Sequence, residues 1–194
     1  MRFFLAIFLL VAFLVVFVLR SLLVWRRTGV NPIVFQKDNR VDHYIGRIFV
    51  MVQIFVVLSV VAYAASVEEL LFPLQPLQGM ELQLVGAFLL LASTAWCVVA
   101  QAQMGQSWRI GIDRDHSTSL VTTGLFRISR NPIFLAMGIT LVGLFLVLPT
   151  AVTLAVMAVG HVLINIQVRL EENHLESMHQ DAYRSYCRRV RRWV

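Results

Sequence analysis

Five long apolar blocks dominate the chain, separated by polar connections: 3–25 ("FFLAIFLLVAFLVVFVLRSLLVW"), 45–66, 81–103, 132–148 and 150–168. Each is close to the about 20 largely apolar residues, range about 17–25, that cross a bilayer as a helix. The first block is too long for a signal peptide and no A-x-A cleavage pattern follows it, so it is predicted to remain as a helix. The link between the last two, "LVLPT", has room only for a turn, which predicts a tight hairpin around Pro149. After residue 168 the pattern changes. Leu175, Met178, Ala182, Tyr186, Val190 and Trp193 recur at spacings of three and four, with Arg184, Arg188, Arg189, Arg191 and Arg192 between them. That is an amphipathic interfacial helix with a basic end. The predicted fold is an all-α integral membrane domain spanning residues 1–194, with helices one and two in 1–80 and the hairpin, the loop 104–131 and the C-terminal helix in 81–194.

Lysine and arginine sort these helices by side. The loop after the first carries Arg26, Arg27, Lys37, Arg40 and Arg47; the loop after the second, "SVEELLFPLQPLQG", carries none; the loop after the third carries Arg109, Arg114, Arg127 and Arg130. With the arginine-rich C-terminus, every second connection is basic, which predicts the N-terminus outside and the C-terminus cytoplasmic, at the plasma membrane if the cell is prokaryotic. Composition agrees: 58% of residues are hydrophobic and 14% charged, against about 45–50% and about 25% in soluble domains. A net charge of +6 would otherwise suggest nucleic acid. Here the arginines lie in loops and at the C-terminus, where they meet an anionic membrane surface instead.

The hairpin has a chemical consequence. Both of its open ends face the cytoplasm, so Arg130 at the start of helix four must lie near Arg169, Glu171 and Glu172 at the end of helix five. Along helix five, His161, Asn165, Arg169 and Glu172 follow a spacing of four, four and three, a polar stripe on one face. Polar groups at membrane depth normally face a bundle interior or a cavity, although His161 and Asn165 are equally explained by bonding between helices. Pro132 suits a first helical turn and Asn131 the capping position before it. An open helix start of this kind also presents unpaired N–H groups to an anion. Met104 and Trp108 suit either a pocket wall or packing at the interface.

Other chemistries find no support. Gly105, Gly111 and Gly124 form no dinucleotide fingerprint, and there is no P-loop, G-x-S-x-G or H-E-x-x-H. Cys97 and Cys187 are isolated from each other and from any His cluster, so no zinc site is predicted. Cys97 reads as a small core residue, and Cys187, in "YCRRVRR", as a thiol beside arginines.

Taken in order, "SLVTTGLFRISRNPIFLAMG", a hairpin, and "RLEENHLESMHQDAYRSYCRRV" resemble the isoprenylcysteine carboxyl methyltransferase family, which shares a C-terminal pattern with phospholipid methyltransferases. The family pattern runs roughly L-V-T-x-G-x-Y, R-H-P-x-Y-x-G, R-x-E-E-x-x-L and Y-x-x-Y with a basic end. Leu120 and Val121 match its L-V, Gly124 its glycine and Phe126 its Tyr position. Arg130, Asn131, Pro132, Phe134 and Ala136 match R-H-P-x-Y-x-G, with Asn for His, Phe for Tyr and Ala for Gly. Arg169, Glu171 and Glu172 match the R-x-E-E element. His116 lies near, but offset from, a His often found before L-V. The resemblance covers residues 104–194 and implies a methyltransferase core in 81–194.

The resemblance further implies S-adenosylmethionine as methyl donor, leaving S-adenosylhomocysteine, bound by these residues: Glu171 or Glu172 to the ammonium, Arg130 or the helix start to the carboxylate, and Leu120, Val121 and Phe126 about the adenine. A prenylcysteine carboxylate is already ionised at neutral pH, so its O-methylation needs positioning and no base. Arg169 is the residue expected to hold that acceptor carboxylate. The rival readings are a phospholipid amine methyltransferase, a sterol-reductase-like nicotinamide enzyme and a non-catalytic membrane module. The expected partners are a lipophilic acceptor and membrane lipid, with no nucleic acid and no metal.

Overall fold

The computed structural model describes residues 1–29, 41–109 and 119–194, with side chains of the second stretch described from Tyr44 onward. Among the described residues, five α-helices are found where the apolar blocks predict them: α1 (Arg2–Thr28), α2 (Val41–Ala64), α3 (Met80–Met104), α4 (Pro132–Val147) and α5 (Ala151–Arg189). Four are long and apolar enough to cross a membrane, and α4 is a shorter apolar helix inside the bundle. Among the described residues there is no strand beyond an isolated bridge between Pro73 and Thr150. The chain is an all-α integral membrane protein.

Two boundaries differ from expectation. α5 runs on past the membrane segment without a loop, because "RLEENHLESMH" carries no breaker, and its last part is the predicted amphipathic helix, set off by a kink. It is interrupted only at Gln180, an exposed residue with φ 46°. Nor is α1 uniform: residues Leu14–Leu19 widen into a π-helical stretch.

At the end of the bundle away from the loop 104–131, the turns lock together. Leu74 N–H donates to Pro149 O (2.9 Å) and Ala151 N–H to Phe72 O (2.9 Å). Thr150 and Thr153 form a reciprocal capping box that starts α5. Arg2 reaches Glu68 and Ser66 and lies over the Tyr63 ring. The core below draws on every helix: Leu5, Val56, Val60, Leu90, Leu144, Val147, Leu148 and Val156 form one cluster.

Helices α3 and α4 make the closest contact. A Cβ on Gly86 would sit 2.7 Å from the Gly143 carbonyl oxygen, so only glycine allows this approach. The Ser93 and Thr140 hydroxyls bond across the same seam at 2.9 Å. At its far end Trp96 Nε1–H donates to Pro132 O (3.1 Å). This seam sets the start of α4 against the end of α3, where the cleft lies.

Candidate functional site

A cleft with a cavity of about 140 Å³, open on one side, lies between the end of α3, the segment 119–134 and the far part of α5. Leu120, Val121, Phe126, Arg130, Asn131, Pro132, Phe134 and Glu171 line it, together with Met104, Trp108, Arg109, His174, Leu175 and Tyr186. The hairpin argument therefore holds in space: the start of α4 faces α5 beyond its membrane segment. His116 lies outside the described residues.

The two adjacent glutamates are used in opposite ways. Glu172 is buried and saturated. Its Oε1 accepts from Asn131 Nδ2 (3.0 Å) and faces Arg130 Nη2 (3.4 Å); its Oε2 accepts from Arg192 Nε (3.0 Å) and Nη2 (2.7 Å). Glu171 lines the cleft, and among the described residues it has no hydrogen-bond or ion-pair partner. Burial, and then the neighbouring Glu172 carboxylate, push its carboxyl up to about 7. One glutamate builds the wall and the other is open to a ligand.

Asn131 occupies the position before α4 but does not cap it. Its backbone sits at φ −130°, ψ 54°, and its side chain makes no capping bond. The amide is drawn away to Glu172 and to Arg192 O (3.3 Å). The first N–H groups of α4, on Ile133 and Phe134 in the cleft wall, therefore lack a side-chain cap. The buried Nε of Arg130 also has no partner. A donor set and a positive dipole end thus face the same cleft as Glu171.

The C-terminal residues complete this wall. Arg130 N–H donates to Arg191 O (3.0 Å) and Ser129 Oγ–H to Arg192 O (3.2 Å). Tyr186 O–H donates to Phe126 O (2.6 Å), and burial pushes that hydroxyl up to about 12. The tail is folded back onto the start of α4, not spread along the interface as the amphipathic pattern suggested. Arg192 was read only as part of a basic end; its role depends on the chain turning back at the Gln180 kink, which helical periodicity does not encode.

Three expectations are corrected by geometry. Arg169 is exposed and does not line the cleft: it is turned about 100° from buried Val168 and about 60° from Glu172, toward the outer surface of α5. The stripe it belonged to does not act as one face. His161 Nδ1 bonds to Met157 O (2.9 Å) and Asn165 Nδ2 to His161 O (2.8 Å), so both are satisfied by their own helix. Gly124 lies outside the cleft lining; it makes the turn that carries Phe126. Cys97 is buried as predicted, and Cys187 lies outside the cleft lining.

That turn depends on Gln103, which the sequence pattern did not single out. Gln103 Oε1 accepts from Leu125 N–H (2.7 Å), and a Cβ on Gly124, at φ +61°, would come within 2.4 Å of the same side chain. Gly124→Ala is expected to cost about 1–2 kcal/mol through strain and loss of this bond. Combined with Gln103→Ala in a thermal-melting cycle, the two losses should be less than additive; full additivity would refute the coupling.

The phospholipid methyltransferase family profile matches residues 82–182, just over half of the chain and all of the cleft except the tail. The chain belongs to the phospholipid methyltransferase family. No curated protein and no solved structure matches it. Family membership makes it a membrane methyltransferase, and the matched span begins at α3, leaving α1 and α2 outside.

Proposed function

We propose that the chain is an S-adenosylmethionine-dependent carboxyl O-methyltransferase acting on a lipophilic, prenylcysteine-like acceptor at the cytoplasmic membrane face. One observation carries the cofactor assignment: unpaired Glu171 shares a cleft with the uncapped start of α4 and the Arg130 guanidinium. A zwitterionic amino-acid group complements this arrangement, with its ammonium at Glu171 and its carboxylate at the α4 N–H groups and Arg130. Leu120, Val121 and Phe126 supply an apolar bed for the adenine.

The donor brings an activated methyl on a sulfonium and leaves as a neutral thioether when the carbon–sulfur electron pair returns to sulfur. The acceptor carboxylate oxygen forms the new bond, and no proton need move. This chain's task is to align the two groups and exclude water. With Arg169 outside the cleft, Arg109 and Arg130, both in its lining, are the cations that can orient an acceptor carboxylate. The apolar bundle beside the cleft suits a lipid-borne chain.

A second reading, phospholipid amine methylation, is favoured by one feature. An amine nucleophile must shed a proton, and His174 and Glu171 (raised to about 7) are cleft-lining groups able to take it. The experiment that decides is product analysis. Purified protein is given methyl-labelled donor with either a farnesylated N-acetylcysteine or phosphatidylethanolamine. Label on the thioether lipid, released by alkali as methanol, supports the ester reading. Alkali-stable label on the headgroup establishes the amine reading. No label on either, with no thermal stabilisation by S-adenosylhomocysteine, overturns both.

A further inference from the structure

Arg20 lies in α1, a helix outside the segment that matches the family. It is 18 residues after Arg2 along the helix, about 27 Å at 1.5 Å per residue, so the two arginines sit at opposite membrane surfaces. Arg2 belongs to the end where the turns lock together, and Arg20 to the end with the cleft. Its Nη2 donates to two carbonyls at the end of α3, Gln101 O and Gly105 O, both at 2.6 Å. These are carbonyls that a helix end leaves without intrahelical partners, and a cation there also meets the negative end of the helix dipole. The same guanidinium lies over the Trp108 ring, 5.7 Å from its centroid.

The contact is reciprocal. Gln101, 3% exposed, donates its Nε2–H to Val16 O (3.2 Å). Val16 lies in the π-helical stretch Leu14–Leu19, a kind of local widening that often marks functional regions. Each helix thus bonds to the other's backbone at one level. What this clasp holds is a cleft wall: Met104 and Trp108 line the cleft, and Trp108 is 3% exposed. Gln103, on the same turn, carries the Gly124–Phe126 turn opposite.

We infer that Arg20 is a positioning residue for the methyl-donor cleft: from α1 it fixes the end of α3 and the Trp108 ring, and so sets the shape of the Met104–Arg109 wall. This rests on the reading of the cleft as the donor site. It assigns α1 a part in the reaction although α1 contributes no cleft-lining residue.

The test uses full-length protein in lipid nanodiscs, with S-adenosylhomocysteine as probe, and compares wild type, Arg20→Met, Arg20→Lys and the outward-facing control Leu19→Ala. Arg20→Met is expected to weaken probe binding about tenfold or more, and Arg20→Lys about threefold, since a lysine offers a point charge where the guanidinium bridges two carbonyls. The KM for the donor should rise in the same order with kcat changing less, and Leu19→Ala should match wild type. A merely structural Arg20 would lower the melting temperature and leave probe affinity of the folded protein unchanged; that result overturns the proposal. If Arg20→Met does not fold, Arg20→Lys decides alone, and wild-type affinity in it overturns the proposal. Failure of the wild type to bind the probe would instead overturn the donor-site reading, whatever the variants do.

Discussion

Glu172→Ala is expected to be the most damaging single substitution at the cleft, costing about 3 kcal/mol or more of stability. The cost is not the loss of one attractive pair. Glu172 is the shared acceptor for Asn131, Arg130 and Arg192, and its side chain is only 10% exposed. Removing it leaves two guanidinium groups facing each other and a buried amide without its acceptor. Arg192→Ala should cost less, about 1 kcal/mol, because that side chain is 37% exposed and partly screened. Both variants should free the tail. Trypsin cleavage at Arg188–Arg192 should therefore accelerate in each, and melting temperature should fall in the order wild type, Arg192→Ala, Glu172→Ala. A Glu172→Ala protein with wild-type melting and cleavage would show that the cluster holds nothing. The same cluster explains the departure at Asn131. The position calls for a neutral N–H donor to Glu172, which an imidazole supplies as well as an amide. Asn131→His should keep the melting temperature within a few degrees, and Asn131→Leu should not.

Much of this was legible in the sequence, for identifiable reasons. Apolar blocks of spanning length located all five helices, because in a bilayer the backbone must satisfy itself and only helix length is free. The five-residue "LVLPT" link forced the hairpin, and the hairpin brought Arg130 and Glu171 together across 41 positions. What sequence could not separate was Glu171 from Glu172. Adjacent helical residues differ by about 100° in direction, so one faces the cleft and the other the cluster behind it, and only packing says which. Arg169 failed for the same reason: a spacing of three and four groups residues on a face but does not say that the whole face looks inward. The tail was invisible because most of its bonds use backbone carbonyls of Arg191 and Arg192, which every residue has, and because the Arg192 guanidinium reaches Glu172 only once the chain turns back. Nothing in the apolar pattern singled out Arg20, since its partners are carbonyls some 80 residues away.

Glu171 should make both stability and donor binding depend on pH, in opposite directions. Its carboxyl is raised to about 7 in the folded protein from an ordinary value of about 4.5. The folded state then holds more protons than the unfolded state between those values, so stability is greatest below about 4.5, falls as pH rises through about 7, and levels off above. The shift corresponds to about 3 kcal/mol as an upper figure. Glu171→Gln removes the buried charge, so it should melt higher than wild type at pH 8, with the gap closing toward pH 5. Binding runs the other way. The donor's ammonium needs the ionised carboxylate, so affinity for S-adenosylhomocysteine should fall about tenfold per unit as pH drops below about 7. Glu171→Gln should bind weakly, by about two orders of magnitude at pH 8, and with no such slope. Calorimetric titration at pH 6, 7 and 8, paired with melting at the same pH values, measures both halves. A variant that is more stable yet fails to bind is the signature of a carboxylate kept unpaired for a cationic ligand; one that binds like wild type with the same pH slope would assign the ammonium to another group. A glutamate with no ligand role would show the stability half alone, because burial raises its carboxyl whether or not a cation uses the charge.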